Sequence, residues 1–169
     1  MERKENNFAF IDSQNLNMGV KSLGWFLDFK KFRIYLKEKY GVSVAYLFIG
    51  YIPENSNMYA SLQKAGFVLK FKPVISNKDG SYKGNIDADL VLQTMIDYYE
   101  NNFNKAIIVT SDGDFYSLVD YLYSNNKLEI VMSPYYKSCS ILLKKKAKGK
   151  LVFLNNLRKK LEYKRKSTA

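Results

Sequence analysis

Ala106–Phe115 reads AIIVTSDGDF. Ala106–Val109 is a strand-like apolar run. A polar Thr-Ser pair follows, and then Asp112-Gly113-Asp114, where Gly113 permits a sharp turn from strand into helix. Asp114 stands at the start of the helix expected over Phe115–Ser124, a place where a carboxylate also suits the helix dipole. A purely structural account of Asp114 therefore stays open beside a functional one. In open α/β sheets, ligands bind outside the carboxyl ends of the strands. The carboxylates that follow this run stand where a site would be built.

Two further stretches repeat the theme. In FAFIDSQNL, Asp12 follows the apolar run Phe8–Ile11 at once, and in KGNIDADLVL, Asp87 and Asp89 precede one. If the strands lie side by side, these carboxylates converge on one spot. Such a cluster repels itself unless protons or a hard cation neutralise it. The economical reading is a Mg²⁺ or Mn²⁺ site held by Asp12, Asp87, Asp112 and Asp114. Asp87 and Asp89, if both are helical, diverge by about 200° and cannot both face one metal. Asp87 is then the inward group, and Asp89 contributes through a water or caps the helix. Asp12 could instead merely cap a helix or turn that begins at Ser13. Asp97, two turns further on, reads as a solvated face residue.

Outward from these motifs the chain alternates strand and helix. Strands are expected at Phe8–Ile11, Val42–Ile49, Phe67–Val74, Ala106–Val109, Leu128–Met132 and Leu151–Leu154. Helices fall over Phe29–Tyr40, with Asp28 as cap and Gly41 as stop, and over Asn57–Ala65, Asp87–Asn101, Phe115–Ser124 and Ser138–Lys145. Residues 76–86 read as a polar loop, and Asn155–Lys166 as a basic terminal helix. Strands separated by helices imply a central, mostly parallel sheet with helices on both faces, a Rossmann-like α/β fold.

Composition narrows the function. At 169 residues, 47% apolar and 15% aromatic, the chain is long and apolar enough to bury one core. No apolar stretch approaches the roughly 18 residues of a membrane span, and no secretory signal is read at MERKENNF. A single cysteine, Cys139, fits a reducing, cytoplasmic setting and reads as a packing residue. The chain has no histidine, which excludes Cys/His zinc sites, imidazole bases and Ser-His-Asp chemistry. With 27 Lys+Arg against 16 Asp+Glu, the net charge is +11, and nucleic acid is the partner that fits. A homodimer or protein partner stays open. The lysines and arginines crowd the C-terminal part, so a basic surface accompanies a local acidic pit, a combination that a metal nuclease needs. Lys72, Lys78 and Lys83 flank the polar loop and could hold phosphates. Tyr82, Tyr135 and Tyr136 lie in expected loops and could stack bases.

Other phosphate chemistries fit less well. SQNLN carries no Gly-x-Gly-x-x-Gly, so a dinucleotide site is not indicated. Gln14 stands where a haloacid-dehalogenase-type phosphatase wants a second Asp, and Asp12 stands where a toprim-type site wants a Glu. With FIDSQNL, KGNIDADLVLQTM and VTSDGDFYSLV in this order and spacing, the chain resembles an NYN domain, a branch of the PIN-like ribonucleases. The resemblance covers roughly residues 6–155. It implies a single Rossmann-like PIN/NYN domain over residues 1–155, with residues 156–169 as a basic C-terminal extension. It also implies divalent-metal-dependent cleavage of RNA. Carried over by motif, Asp12, Asp87, Asp112 and Asp114 become the catalytic acids, and Asn15 and Ser111 match the polar positions beside them. Ser13 stands where a Gly is frequent. Lys83, Arg158 and Lys159 are the cations expected to contact the RNA. A catalytically silent RNA- or protein-binding adaptor, or a hydrolase of small phosphates, remains the alternative. Intact acids at all four motif positions weigh against the adaptor, and the basic balance weighs against the small substrate.

Overall fold

The protein is described from a computed structural model, covering residues 5–73, 75–76, 82–83 and 87–165, with 75–76 and 82–83 described by their backbone only. Its elements, in chain order, are β1 (Asn7–Asp12), α1 (Ser13–Ser22), α2 (Phe29–Tyr40), β2 (Val42–Tyr51), α3 (Ser56–Lys64) and β3 (Val68–Pro73). There follow β4 (Ile75–Ser76), β5 (Tyr82–Lys83), α4 (Asp87–Tyr99), β6 (Ala106–Val109) and α5 (Tyr116–Ser124). The chain then continues through β7 (Leu128–Ser133), α6 (Ile141–Ala147), β8 (Leu151–Phe153) and α7 (Arg158–Leu161).

Six strands form one sheet in the order β3-β2-β1-β6-β7-β8, and every neighbouring pair is parallel. Without the small β4–β5 hairpin this is the doubly wound order, which reverses direction between β1 and β6. Both central strands are wholly buried, as parallel strands covered on both faces must be. Alternate residues of β1 feed two cores. Ala9 and Ile11 join Leu16, Val20, Phe32, Leu36 and Leu62 beneath α1, α2 and α3. Phe8 and Phe10 join Leu90, Phe115, Leu118 and Leu143 beneath α4, α5 and α6.

Local chemistry sets the element ends. Asp28 caps α2 by accepting the Lys31 N–H at 3.0 Å, and Gly41 closes it at φ 61°, the left-handed conformation that glycine adopts without strain.

Three sequence expectations need correction, and one alternative left open holds. Residues 13–22 form a full helix, α1, which Asp12 caps by accepting the Asn15 N–H. Within the stretch read as a polar loop, Ile75–Ser76 and Tyr82–Lys83 pair as an antiparallel hairpin. Asp97 is buried and accepts hydrogen bonds from Gln93 and Asn102 at 3.0 and 2.9 Å. Finally, the terminal basic helix does not run to Lys166. A 3-10 turn over Leu154–Leu157 leads into the single turn of α7. Glu162 then pairs with Leu27 in an antiparallel bridge, flanked by Asp28 N–H to Leu161 O and Tyr163 N–H to Phe26 O. Tertiary backbone pairing here overrides helix propensity. Leu154 and Leu161 are nonetheless buried in the α1–α3 core, with Leu157 packed against it.

Candidate metal centre

The reversal between β1 and β6 leaves a crevice at their carboxyl ends, and the chain places its acids there. Asp12 is both the last residue of β1 and the cap of α1, so its side chain turns across the strand ends. Its Oδ1 accepts the Asn15 N–H at 3.1 Å, and its Oδ2 accepts the Thr110 hydroxyl at 3.2 Å. Thr110 Oγ1 in turn accepts the Asp112 N–H at 3.1 Å. Beside this chain of bonds, Asn15 Oδ1 accepts both the N–H and the hydroxyl of Ser111, at 2.8 and 2.9 Å. The ends of β1 and β6 are thus laced together by side chains, and Asn15 and Ser111 spend these groups on each other.

Past β6, Asp112 caps the 3-10 turn Gly113–Phe115 by accepting the Asp114 N–H at 2.9 Å. Gly113 is needed for a close approach. A Cβ there would lie 2.5 Å from Ser140 Oγ, and the Ser140 N–H donates to Ser111 O at 3.1 Å. The turn and the segment before α6 therefore lock together. From the opposite side, Asp87 enters as the first residue of α4.

Asp87, Asp112 and Asp114 each offer a carboxylate oxygen, all within 4.8 Å of one another. Asp12 lies beneath, 5% exposed. Its pKa is pushed up to about 6, first by burial and then by the charges of Asp87 and Asp112, against the opposing hydrogen bonds from Asn15 and Thr110. Burial, followed by the neighbouring charges of Asp112 and Asp114, also raises Asp87, while Lys72 pulls it down. Three carboxylate oxygens so close form a hard, all-oxygen donor set, which suits Mg²⁺ or Mn²⁺ and offers nothing to soft metals.

A match to the NYN domain family model extends over residues 8–155. The chain belongs to the NYN domain family. This NYN domain is also similar to a crystal structure of a protein of unknown function from Vibrio parahaemolyticus, with a TM-score of 0.78 and 22% identity, over 96% of this chain and 99% of that one. That likeness concerns the fold alone. A comparison with curated proteins gives no match. The NYN fold is nuclease-like, and its relatives generally bind RNA and depend on a metal. No helix among the described residues is long and apolar enough to cross a membrane.

Of the residues singled out in the sequence, Asp87, Asp112 and Asp114 meet directly, and Asp12, Asn15 and Ser111 form the floor that holds them. Asp89 stays outside the group: it points away around α4 and faces Lys72 at 4.0 Å. Arg158 donates to Glu162 Oε1 from Nε and Nη2, at 3.1 and 2.9 Å. It and the exposed Lys159 belong to α7, which packs against α2, whereas the acids lie among α4, α5 and α6. The side chains of Lys83 and Tyr82, and the whole of Lys78, lie outside the described residues. Thr110 and Ser140 are the additions. A threonine closing a buried strand two residues before an acid was the available signal for Thr110, whereas nothing local marked Ser140.

Proposed function

We propose that this NYN domain hydrolyses RNA phosphodiester bonds with Mg²⁺ or Mn²⁺ held by Asp87, Asp112 and Asp114. The observation that carries this reading is the meeting of three carboxylates, Asp87 from the start of α4 and Asp112 and Asp114 from the turn after β6, at the point where the sheet order reverses. Bound there, the cation would lower the pKa of a water and offset the charge of the phosphate. The chain's own residues do the rest. Thr110 hydrogen-bonds to the Asp12 carboxylate and accepts from the Asp112 backbone, which fixes the turn that aims the acids. In a chain with no histidine, Asp12, its pKa pushed up to about 6 chiefly by burial, is the group suited to accept the nucleophile's proton near neutral pH. The net charge of +11 favours an extended polyanion over a small phosphate.

The test is incubation with a panel of structured and single-stranded RNAs in Mg²⁺, Mn²⁺ or EDTA. Cleavage is expected with either metal and not with EDTA. Asp87→Asn and Asp112→Asn should each abolish it while RNA affinity stays equal or rises. Full cleavage in both variants would sink the assignment, and metal-independent binding without cleavage would mark an adaptor.

A further inference from the structure

An apolar shelf borders the acidic turn on its β7 side. Tyr136, three residues past the end of β7, is 59% exposed, and Ile141 and Leu142, which open α6, are 68% and 47% exposed. Leu142 approaches within 3.9 Å of the space a Cβ on Gly113 would fill, and Ser140 is bonded to Ser111. The start of α6 is therefore tied to the turn that carries Asp112 and Asp114, and Tyr136 stands four residues before Ser140 in the chain.

The Tyr136 ring is also held in place. Phe153 packs nearly perpendicular to it, with ring centroids 5.5 Å apart and planes at 77°. Lys144 sets its ammonium 3.8 Å from the ring centroid, a cation–π contact. An exposed ring that is already oriented loses little freedom when a second ring stacks on it. Positive charge continues along α6 and beyond it. Lys145 and Lys148 are exposed, whereas Lys146 is engaged by Asp120 at 3.0 Å. Fixed aromatic surface beside exposed cations complements a chain that is anionic along its backbone and flat and apolar in its bases.

We propose that Tyr136, with Ile141, Leu142 and Lys144, forms a base-stacking subsite that selects single-stranded RNA and seats a nucleotide next to the acidic centre. The inference rests on the reading of that centre as an RNA-cleaving site. A duplex keeps its base faces stacked on each other and cannot use the shelf, so the subsite confers strand preference as well as affinity.

Binding and cleavage test the two readings separately. Fluorescence anisotropy with a labelled single-stranded oligonucleotide and a hairpin duplex, both in EDTA, measures Kd without cutting. Tyr136→Ala should raise the Kd for the single strand about tenfold, leave the duplex unchanged and keep the salt slope. Tyr136→Trp should restore binding. Lys144→Gln should lower the salt slope by about one counterion. Thermal melting confirms that each variant is folded. An unchanged Kd in Tyr136→Ala would overturn the subsite and assign the shelf to a protein contact. Equal losses on single strand and duplex would overturn it too, because stacking would not be the cause. If the Tyr136 effect is found and Mn²⁺ gives no cleavage, the subsite stands and the nuclease reading falls.

Discussion

Asp12 is the residue whose chemistry differs most from its appearance in the sequence. It caps α1, holds Thr110 and is buried, so its charge is costly. Its pKa in the folded protein, about 6, lies above its ordinary value of 3.8. Below pH 3.8 the carboxyl is protonated whether the chain is folded or not, and nothing is lost. Between 3.8 and about 6 the unfolded chain has already released the proton that the folded one keeps, so stability falls as pH rises. Above about 6 the whole penalty is present, about 3 kcal/mol. In chelator, Asp12→Asn should therefore stabilise the protein at neutral pH by up to that amount and flatten this part of the pH dependence, because Asn can still accept the Asn15 N–H. Urea melts of both proteins at pH 4 and pH 7.5 check it, and a variant less stable at neutral pH would contradict the assignment. Added Mn²⁺ should act in the opposite sense. It should raise the Tm of the unaltered protein, by mass action on the folded state, and leave Asp112→Asn nearly unmoved.

Single elements show where local signals sufficed and where they did not. Gly113 marks the turn that β6 needs, and its lack of a side chain also admits Ser140, whose Oγ accepts the Leu142 N–H at 3.2 Å as the cap of α6. Gly113→Ala should displace that cap and cost about 1 kcal/mol, read as a lowered Tm, and should weaken cleavage by loosening the Ser140–Ser111 tie. Helix α2 was legible because Asp28, Gly41 and a regular apolar face agree. Helix α1 was not, since it buries only Ser13, Leu16 and Val20 and contains Gly19. A Cβ at Gly19 would lie 2.5 Å from the Pro134 side chain, so a distant proline accounts for a residue that weakens the helical pattern. Asp97 read as solvated because its inward position is fixed by partners on and beyond its own helix. The end of α7 was overextended because its stop, the pairing of Glu162 with Leu27, comes from far away in the chain. Among the site residues, the motifs placed each acid at an element end, but only the strand order brings Asp87 to Asp112 and Asp114.

At the scale of the whole molecule, the two cores divide the surface functions. The α4–α6 side carries the acids, the aromatic shelf and the lysines of α6, and the α1–α3 side receives the C-terminal segment. Arg158→Ser with Lys159→Ser should therefore change the salt dependence of RNA binding less than Lys144→Gln with Lys148→Gln. A larger effect from the C-terminal pair would instead place the RNA path across α7. Phe10, fully buried between β1 and the α4–α6 core, should cost about 3–5 kcal/mol when replaced by Ala, enough to expose how little stability the domain holds in reserve. The lacing of β1 to β6 carries one more consequence. The bonds from Ser111 to Asn15 join positions 96 residues apart in sequence, so no local fragment can form them. The Ser111 amide should then exchange with deuterium only when the entire sheet opens, at a rate matching the central strands, while amides along the edge strand β3 exchange sooner. With that exchange pattern the floor of the centre opens only with the core, and any gate on access to it must be sought in the rim.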